Sequence, residues 1–238
     1  MRSTNTRILV VALLGLSLAF PALAGKVSGT VKFDGEAPKL KPVDMNADPG
    51  CGKKHSTPMA NEMLVLGAGN TLGNVFVRVK SGLAKKDYPA PTQPVVLDQD
   101  GCRYVPHVLG LLKGQTLKIL NSDGLLHNVH ALPTTNKTFN MAMPATRKEA
   151  EVTFTEEEFI FKVKCDVHPW MGAYIAVMSH PYFDVTATDG KFEIANLPPG
   201  TYEIEAWHEK LATKTSSVTI SGEETKAVDF SFAPPPAR

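Results

Sequence analysis

The stretch KCDVHPWM, residues 164–171, places a thiol, an imidazole and a thioether three residues apart, at Cys165, His168 and Met171. Thiolate and imidazole are ligands that suit copper, and a thioether can act as a weak, long axial ligand. Two histidines, one cysteine and such a methionine form the ligand set of electron-transfer copper sites. The stretch therefore supplies three of four ligands and requires a further histidine from elsewhere in the chain.

Candidates for that histidine lie in LLHNVHA, residues 125–131, which contains His127 and His130. The preceding residues, GQTLKILNSDG, predict a strand and a turn, so that the first histidine falls at the start of the next strand. Residues three apart in a strand point to opposite faces of the sheet. One metal ion can therefore take only one of the two.

GQTLKILNSDGLLHNVH followed by KCDVHPWM resembles the cupredoxins, the β-sandwich family with a type 1 copper site that includes plastocyanins and amicyanins. The resemblance covers roughly residues 94–179, and the short Cys-x2-His-x2-Met loop is of the amicyanin type. It implies that His127 is the first ligand of a single copper ion and that His130 points away. It also implies that Asn128, behind the ligands, ties the two ligand loops together.

The same resemblance implies how electrons would leave the site. His168 would present its ring edge to solvent as the exit, with Pro169 and Trp170 in an apolar patch where an unidentified redox protein docks. The sequence leaves other roles open for these residues. Met171 could be a core residue, Cys165 and two histidines could hold zinc, and a Cys/His pair could be nucleophilic. Met141 and Met143 could be loose Cu(I) ligands or packing residues.

The first residues, MRSTNTRILVVALLGLSLAFPALAG, combine basic residues, an apolar run and a small-x-small site, which predicts a secretory signal (1–24) cleaved after Ala24. A periplasmic or secreted protein is expected, with no membrane span after cleavage. Removing Arg2 and Arg7 leaves 23 of the 25 Lys and Arg residues against 24 acidic residues, a net charge of −1. That charge argues against nucleic acid as a partner.

Three cysteines cannot all pair in an oxidising compartment. Cys51 and Cys102 lie in loop-like settings, DPGCGKK and DQDGCRY, and are predicted to form a disulfide. Cys165 is then left over, which fits a role as a metal ligand.

Short alternating strands separated by Gly- and Pro-containing turns predict an all-β protein made of β-sandwiches. DGKFEIANLPPGTYEIEAWHE (189–209) resembles the carboxypeptidase regulatory-like module, a small transthyretin-like sandwich, and GKVSGTV (25–31) resembles its first strand. We therefore expect a cupredoxin domain (91–180) inserted into a split sandwich (25–90 and 181–232), followed by a disordered tail (233–238). Two side-by-side domains are the alternative. The order of segments resembles exported plastocyanin-like proteins of the methylamine-utilisation type.

The sequence thus predicts a periplasmic type 1 copper protein that carries single electrons between redox partners. A copper carrier or storage protein requires the same ligands, and a non-redox β-sandwich interaction module is the third possibility. No carboxylate pair or phosphate-binding loop indicates an enzyme. The roles of His55, His107, His180 and His208 stay open at this point.

Overall fold

The protein is described by a computed structural model that covers residues 24–234. The predicted signal peptide, apart from Ala24, and tail residues 235–238 lie outside the described residues. Strands dominate, which confirms the all-β class. A four-residue helix α1 (Pro49–Gly52) and a single 3-10 turn (Ala68–Asn70) interrupt them. No helix of this part of the chain is long and apolar enough to cross a membrane. The strands are β1 Gly25–Phe33, β2 Phe76–Ser81, β3 Val95–Gln99, β4 Tyr104–Val105, β5 Val108–Leu112, β6 Thr116–Asn121, β7 His127–Ala131, β8 Phe139–Met143, β9 Glu149–Thr153, β10 Glu158–Lys164, β11 Gly172–Met178, β12 Phe183–Val185, β13 Lys191–Leu197, β14 Gly200–Trp207, β15 Lys214–Ile220, β16 Thr225–Ala227 and β17 Phe230–Phe232.

Two sheets are built entirely from the middle of the chain. One has the strand order β5-β11-β10-β7-β8 and the other β4-β3-β6-β9. Burial alternates in β6, where Leu117 and Ile119 are fully buried and the residues on either side of each are half-exposed. The shared core contains both Cys165 and Met171. The predicted ligand loop is therefore anchored in the core of this sandwich.

Two further sheets join the two ends of the described chain. β1 pairs with β13, β16 and β17, while β2 lies between β12 and β14, with β15 at the edge. These strands share a second core that includes Val31, Leu72 and Phe232. The strands of these two sheets lie within residues 25–81 and 183–232. Independent folding of residues 91–180 stays a prediction.

The strand β5 is missed by sequence patterning, because VLGLL is an apolar run without alternation. The glycine at its centre, Gly110, is required by the packing of this strand. A Cβ atom at this position would lie 2.5 Å from the Phe183 ring and 2.8 Å from the Phe76 ring. Glycine in a strand interior often marks such a close approach. The two sandwiches pack against each other here, through a small apolar cluster that includes Phe76, Val108 and Met178.

A segment that precedes the middle sheets in sequence packs onto them. We call residues 43–59 the cover segment. Its two ends are joined by a hydrogen bond from Val43 N–H to Met59 O at 2.9 Å. Met45, Cys51 and Met59 are buried in the same core as the ligand loop. Asp48 caps α1 by accepting a hydrogen bond from Gly50 N–H at 2.8 Å. The cover segment thus contributes side chains to the core of the middle sandwich.

The predicted disulfide between Cys51 and Cys102 is present, with Cα atoms 5.6 Å apart and a sequence separation of 51 residues. Both cysteines are fully buried. The bridge links the cover segment to the loop between β3 and β4. Cys165 remains the free cysteine of the described residues.

Replacing both bridging cysteines by alanine should lower the free energy of unfolding by about 2–4 kcal/mol, because the bridge restricts the unfolded chain. Urea denaturation of the variant and of the parent protein measures this difference. A thiol count on the unfolded, non-reduced parent protein serves as the control and should give one free thiol per chain. An unchanged unfolding midpoint in the double variant would contradict a structural role for the bridge.

The expected domain insertion can be tested with two truncated chains. Residues 91–180 should fold on their own, but less stably than residues 37–180, because the shorter chain lacks the cover segment and one half of the disulfide. Circular dichroism and thermal unfolding report both properties. If residues 37–180 also fail to form β-structure, the middle sandwich depends on the outer strands and the insertion hypothesis is wrong.

Candidate metal centre

Strand pairing explains why residues distant in sequence meet at one end of the middle sandwich. β7 runs antiparallel to β10, with His130 opposite Lys164 and Ala131 opposite Val163. The start of β7 therefore lies beside the end of β10. Since His127 begins β7 and Cys165 follows β10, both residues reach the same rim.

The imidazole rings of His127 and His168 turn the same type of nitrogen toward each other, with their Nδ1 atoms 2.9 Å apart. Cys165 Sγ lies 3.9 Å from His168 Nδ1. The ligand atoms of all three side chains lie within 4.8 Å of one another. Nitrogen and sulfur ligands bind a transition-metal ion at about 2.0 and 2.3 Å, so two ligands of one ion are separated by at most about 4 to 4.5 Å. The separations of 2.9 and 3.9 Å between these atoms lie within that limit. This arrangement fits one metal ion.

The loop that carries three of the predicted ligands is a tight turn held by its own backbone. Cys165 N–H donates to Met171 O at 3.2 Å, and Met171 N–H donates to His168 O at 2.9 Å. His168 N–H also points at Cys165 Sγ, at 3.4 Å. The side chain of Met171 is buried in the core that contains Cys165. These bonds fix the positions of the sulfur and the imidazole relative to each other.

Asn128 connects the two ligand-bearing segments. Its side-chain Oδ1 accepts hydrogen bonds from Asp166 N–H at 2.6 Å and from the Cys165 thiol at 3.2 Å. Its backbone N–H points at Cys165 Sγ, at 3.5 Å. The residue next to one histidine thereby fixes the loop that holds the cysteine and the other histidine.

The buried carboxylate of Asp123 orients His127. Asp123 Oδ2 accepts from His127 Nε2–H at 2.9 Å. The backbone N–H groups of Gly101 and Cys102 also donate to this carboxylate, each at 2.8 Å, and Lys54 Nζ lies 3.0 Å away. Because Nε2 is bound to Asp123, Nδ1 is the nitrogen on the side of Cys165, and its lone pair becomes available once the ring gives up its second proton.

These contacts shift the ionisation of the metal-free site. Burial alone would raise the pKa of Asp123, but the hydrogen bonds from His127, Cys102 and Lys54 outweigh it and lower this pKa to about 2. Burial disfavours the charged form of His127, yet its hydrogen bonds with Asp123 and Cys165 raise the pKa of the imidazole to about 9. Burial opposes ionisation of Cys165 too, and contacts with His127 and backbone N–H groups lower the pKa of the thiol. Binding of a metal ion would release the remaining proton of the Cys165 thiol.

A second carboxylate orients His168 in the same way. His168 Nε2–H donates to Asp48 Oδ2 at 3.0 Å, and Cys51 Sγ lies 3.6 Å from the same nitrogen. Both partners belong to the cover segment. His168 is consequently 1 % exposed. The expectation that its ring edge faces solvent is therefore wrong, because α1 and the disulfide lie over that edge.

The two residues of the expected docking patch differ in exposure. Trp170 is half-buried, and its indole Nε1–H donates to Cys102 O at 3.0 Å. Its ring centroid lies 5.0 Å from that of His168. Trp170 therefore packs between His168 and the loop that contains Cys102, while Pro169 is exposed.

Neither of the two neighbouring groups of potential ligands can act as a separate site. One consists of Asp48, Cys51 and His168, and the other of Cys102, Asp123 and His127. Because the two cysteines are joined to each other, neither offers a thiolate. Both groups share a histidine with the group around Cys165, which is the one with a free sulfur.

Other residues considered from the sequence lie outside this group. His130 is half-exposed, and its Nδ1 lies 2.9 Å from Asp166 Oδ2. Met143 is fully buried in the core and pairs with His127 across β8 and β7, whereas Met141 is half-buried. Sequence analysis missed both orienting aspartates. The signal for Asp123 was its position four residues before His127, whereas Asp48 carried none because it lies 120 residues from His168.

Residues 168–233 match the family model of the carboxypeptidase regulatory-like domain. This match confirms the resemblance predicted from the DGKFEIANLPPGTYEIEAWHE stretch. It covers less than half of the chain and begins inside the ligand loop, so its first part, through β11, belongs to the middle sandwich. A comparison with curated proteins gave no match.

Similar solved structures include cupredoxins. A purple cupredoxin from Nitrosopumilus maritimus is 24% identical over 35% of this chain and 99% of its own, with a TM-score of 0.30. An oxidised amicyanin variant is 24% identical over 36% of this chain and 82% of its own, with a TM-score of 0.32. A copper-containing nitrite reductase from Thermus scotoductus SA-01 is 20% identical over 42% of this chain, with a TM-score of 0.34, and only 26% of that enzyme is covered.

Substituting Asp123 by asparagine should destabilise the metal-free protein at pH 7 by about 3 kcal/mol, because a buried hydrogen-bonded charge is lost. The carboxylate has a lowered pKa in the folded state, about 2 against an ordinary 3.8. Its contribution is therefore complete above about pH 5 and is lost as the pH falls toward 2. The stability difference between the parent protein and Asp123→Asn should shrink over that range, which urea denaturation at several pH values measures.

The matched control for this measurement is Asp98→Asn. Asp98 is a half-exposed carboxylate that accepts from Ser122 Oγ at 2.8 Å. Its substitution should change the free energy of unfolding by less than about 1 kcal/mol. Equal losses in the two variants would contradict a special role for Asp123.

Proposed function

We propose that the chain binds one copper ion through His127, Cys165 and His168, with Met171 as the weak axial ligand, and carries single electrons between redox proteins. The observation that carries this proposal is the convergence of the two Nδ1 atoms and the free sulfur at one buried point. A thiolate, two imidazoles and a thioether are the donor set of type 1 copper sites.

The surroundings of the ligands suit an electron carrier. Each histidine is held by a carboxylate at its far nitrogen, and the sulfur is held by Asn128 and by backbone N–H groups. Groups positioned in this way need to move little when the charge of a bound ion changes. Rapid electron transfer benefits from such a small rearrangement.

Burial of the ligands supports a carrier rather than an enzyme. His127, Cys165, His168 and Met171 are each at most 2 % exposed. A catalytic metal keeps a coordination position open for substrate or water. These four side chains leave none facing the solvent.

Zinc is less well served than copper by the same residues. Zinc sites favour a fourth strong ligand such as carboxylate, imidazole or thiolate. The carboxylates at this centre, Asp123 and Asp48, bind the Nε2 atoms on the far sides of the rings. On the near side, the remaining candidate on the ligand loop is the thioether of Met171, which suits copper better.

We place the protein in the periplasm or outside the cell. The signal-like first residues support export. The disulfide supports an oxidising compartment, because such bonds rarely persist in the cytosol. The partner would be another redox protein. Leu126 and Val167, which adjoin His127 and His168 in sequence, are 52 % and 45 % exposed and offer apolar contacts for it.

Adding Cu(II) to the purified, metal-free protein should produce an intense visible absorption band, because a thiolate ligand transfers charge to Cu(II). Cys165→Ser should abolish the band. Met171→Leu should keep the band and raise the reduction potential, because it removes a weak sulfur ligand. Absorption spectroscopy and redox titration measure these outcomes.

Met141→Leu is the matched control, since this half-buried methionine lies in β8, where it pairs with Val129 of β7 rather than with His127. It should change neither the band nor the potential. A colourless copper complex of the parent protein would reject the type 1 centre. It would favour a copper carrier or a zinc site instead.

A further inference from the structure

A cavity of about 220 Å³ lies beside the ligand loop, on the side of Met171. Its walls come from three separate parts of the chain: the end of the cover segment and the residues after it, the middle sandwich, and the loop after β14. Ligand sites occur preferentially at such junctions between structural units. The function proposed above makes no use of this cavity.

Three methionines line the cavity: Met59, Met63 and Met171. Met59 ends the cover segment, and Met63 follows four residues later. Met171 is the last residue of the ligand loop. Thioether sulfur is a soft donor that selects Cu(I) among the common biological cations.

His107 supplies an imidazole to the same cavity. Its side chain is 9 % exposed, and its Nε2–H donates to Glu209 Oε1 at 2.7 Å. With Nε2 as the donor, the neutral ring keeps its lone pair on Nδ1. That buried atom has no hydrogen-bond partner among the described residues and faces Glu62 Oε2 at 3.8 Å. A buried, unpartnered nitrogen requires an explanation, and a bound cation supplies one.

The charged side chains that line the cavity are two carboxylates and two lysines, so there is no excess of carboxylates for a doubly charged ion. The carboxylates of Glu62 and Glu209 line it together with Lys162 and Lys210. Glu209 is already engaged by His107, by the Tyr174 hydroxyl at 3.0 Å and by Lys210 Nζ at 3.6 Å. Hard divalent cations prefer several free carboxylates, but Glu62 is also engaged, since its Oε1 lies 3.6 Å from Arg103 Nη1.

We propose that this cavity is a second copper site, which binds Cu(I) through Met59, Met63 and the Nδ1 atom of His107. Because Met171 forms part of the same wall, an ion held here lies next to the ligand loop. The site is placed to deliver Cu(I) to Cys165, whose thiol proton leaves as the ion arrives. Delivery rests on the proposed function, whereas binding in the cavity does not.

The test is a Cu(I) titration of the full mature chain without oxygen, with ascorbate as reductant so that the disulfide stays intact. Competition with the chelator bicinchoninate counts the bound ions. The parent protein should bind two Cu(I) ions per chain. Met63→Leu combined with His107→Gln should bind one and still develop the visible band after oxidation. Cys165→Ser should also bind one.

Controls separate the possible failures. Leucine has nearly the volume of methionine, and glutamine can still donate to Glu209, so thermal unfolding should show the variant folded. Met141→Leu should keep two ions, and loss of an ion in this variant would overturn the assignment of the site. One ion in both the parent protein and the Met63→Leu/His107→Gln variant, with the band intact, overturns the cavity site and leaves the type 1 centre standing. If the parent protein shows no visible band but binds one Cu(I) ion that is lost in the Met63→Leu/His107→Gln variant, the type 1 centre is overturned and the cavity site stands.

The delivery step has its own readout. The rate at which Cu(I) moves from the chelator complex to the Cys165 centre is followed by the visible band after oxidation. This rate should be at least about tenfold lower in Met63→Leu/His107→Gln than in the parent protein, a loss of the size seen when residues around a metal site are removed. Met141→Leu should fill at the parental rate. An unchanged rate in the double variant overturns the delivery role.

Discussion

The arrangement of the candidate metal ligands depends on two carboxylate–imidazole hydrogen bonds. Asp123 and Asp48 each accept the Nε2–H of one histidine, so both rings turn their Nδ1 atoms toward each other and toward Cys165. The donor geometry thus exists in the protein before any ion binds. Removing such preorganisation would leave each ring free to rotate or to exchange its protonated nitrogen, and a fixed set of ligands would be lost.

The two aspartates come from different parts of the chain, and the disulfide connects them. Asp48 lies three residues before Cys51, while Asp123 accepts from the backbone N–H of Cys102. Lys54 of the cover segment also contacts Asp123. The bridge, the cover segment and both histidines therefore form one connected unit. A sandwich of strands alone would leave His168 exposed at its rim.

The candidate metal-binding residues could be identified from the sequence where their signal was local. The spacing of Cys165, His168 and Met171, and the position of His127 at a strand start, could be read from residue types alone. The cover segment could not, because its burial of His168 depends on a contact across 120 residues. β8 was missed as well, since FNMAM contains no β-branched residue and lies before a proline. Tertiary packing, rather than local propensity, decides both.

The first strand sets the order in which the molecule can be assembled. Val31 in β1 pairs with Phe230 in β17, and its other neighbours, β13 and β16, begin at Lys191 and Thr225. During synthesis β1 therefore cannot pair until almost the whole chain has been made. The strands of the middle sandwich, in contrast, all lie within a stretch of about 85 residues. Closing such long loops is entropically costly and slow. The sandwich built from the two ends of the chain would thus close last, around a middle sandwich that is already formed.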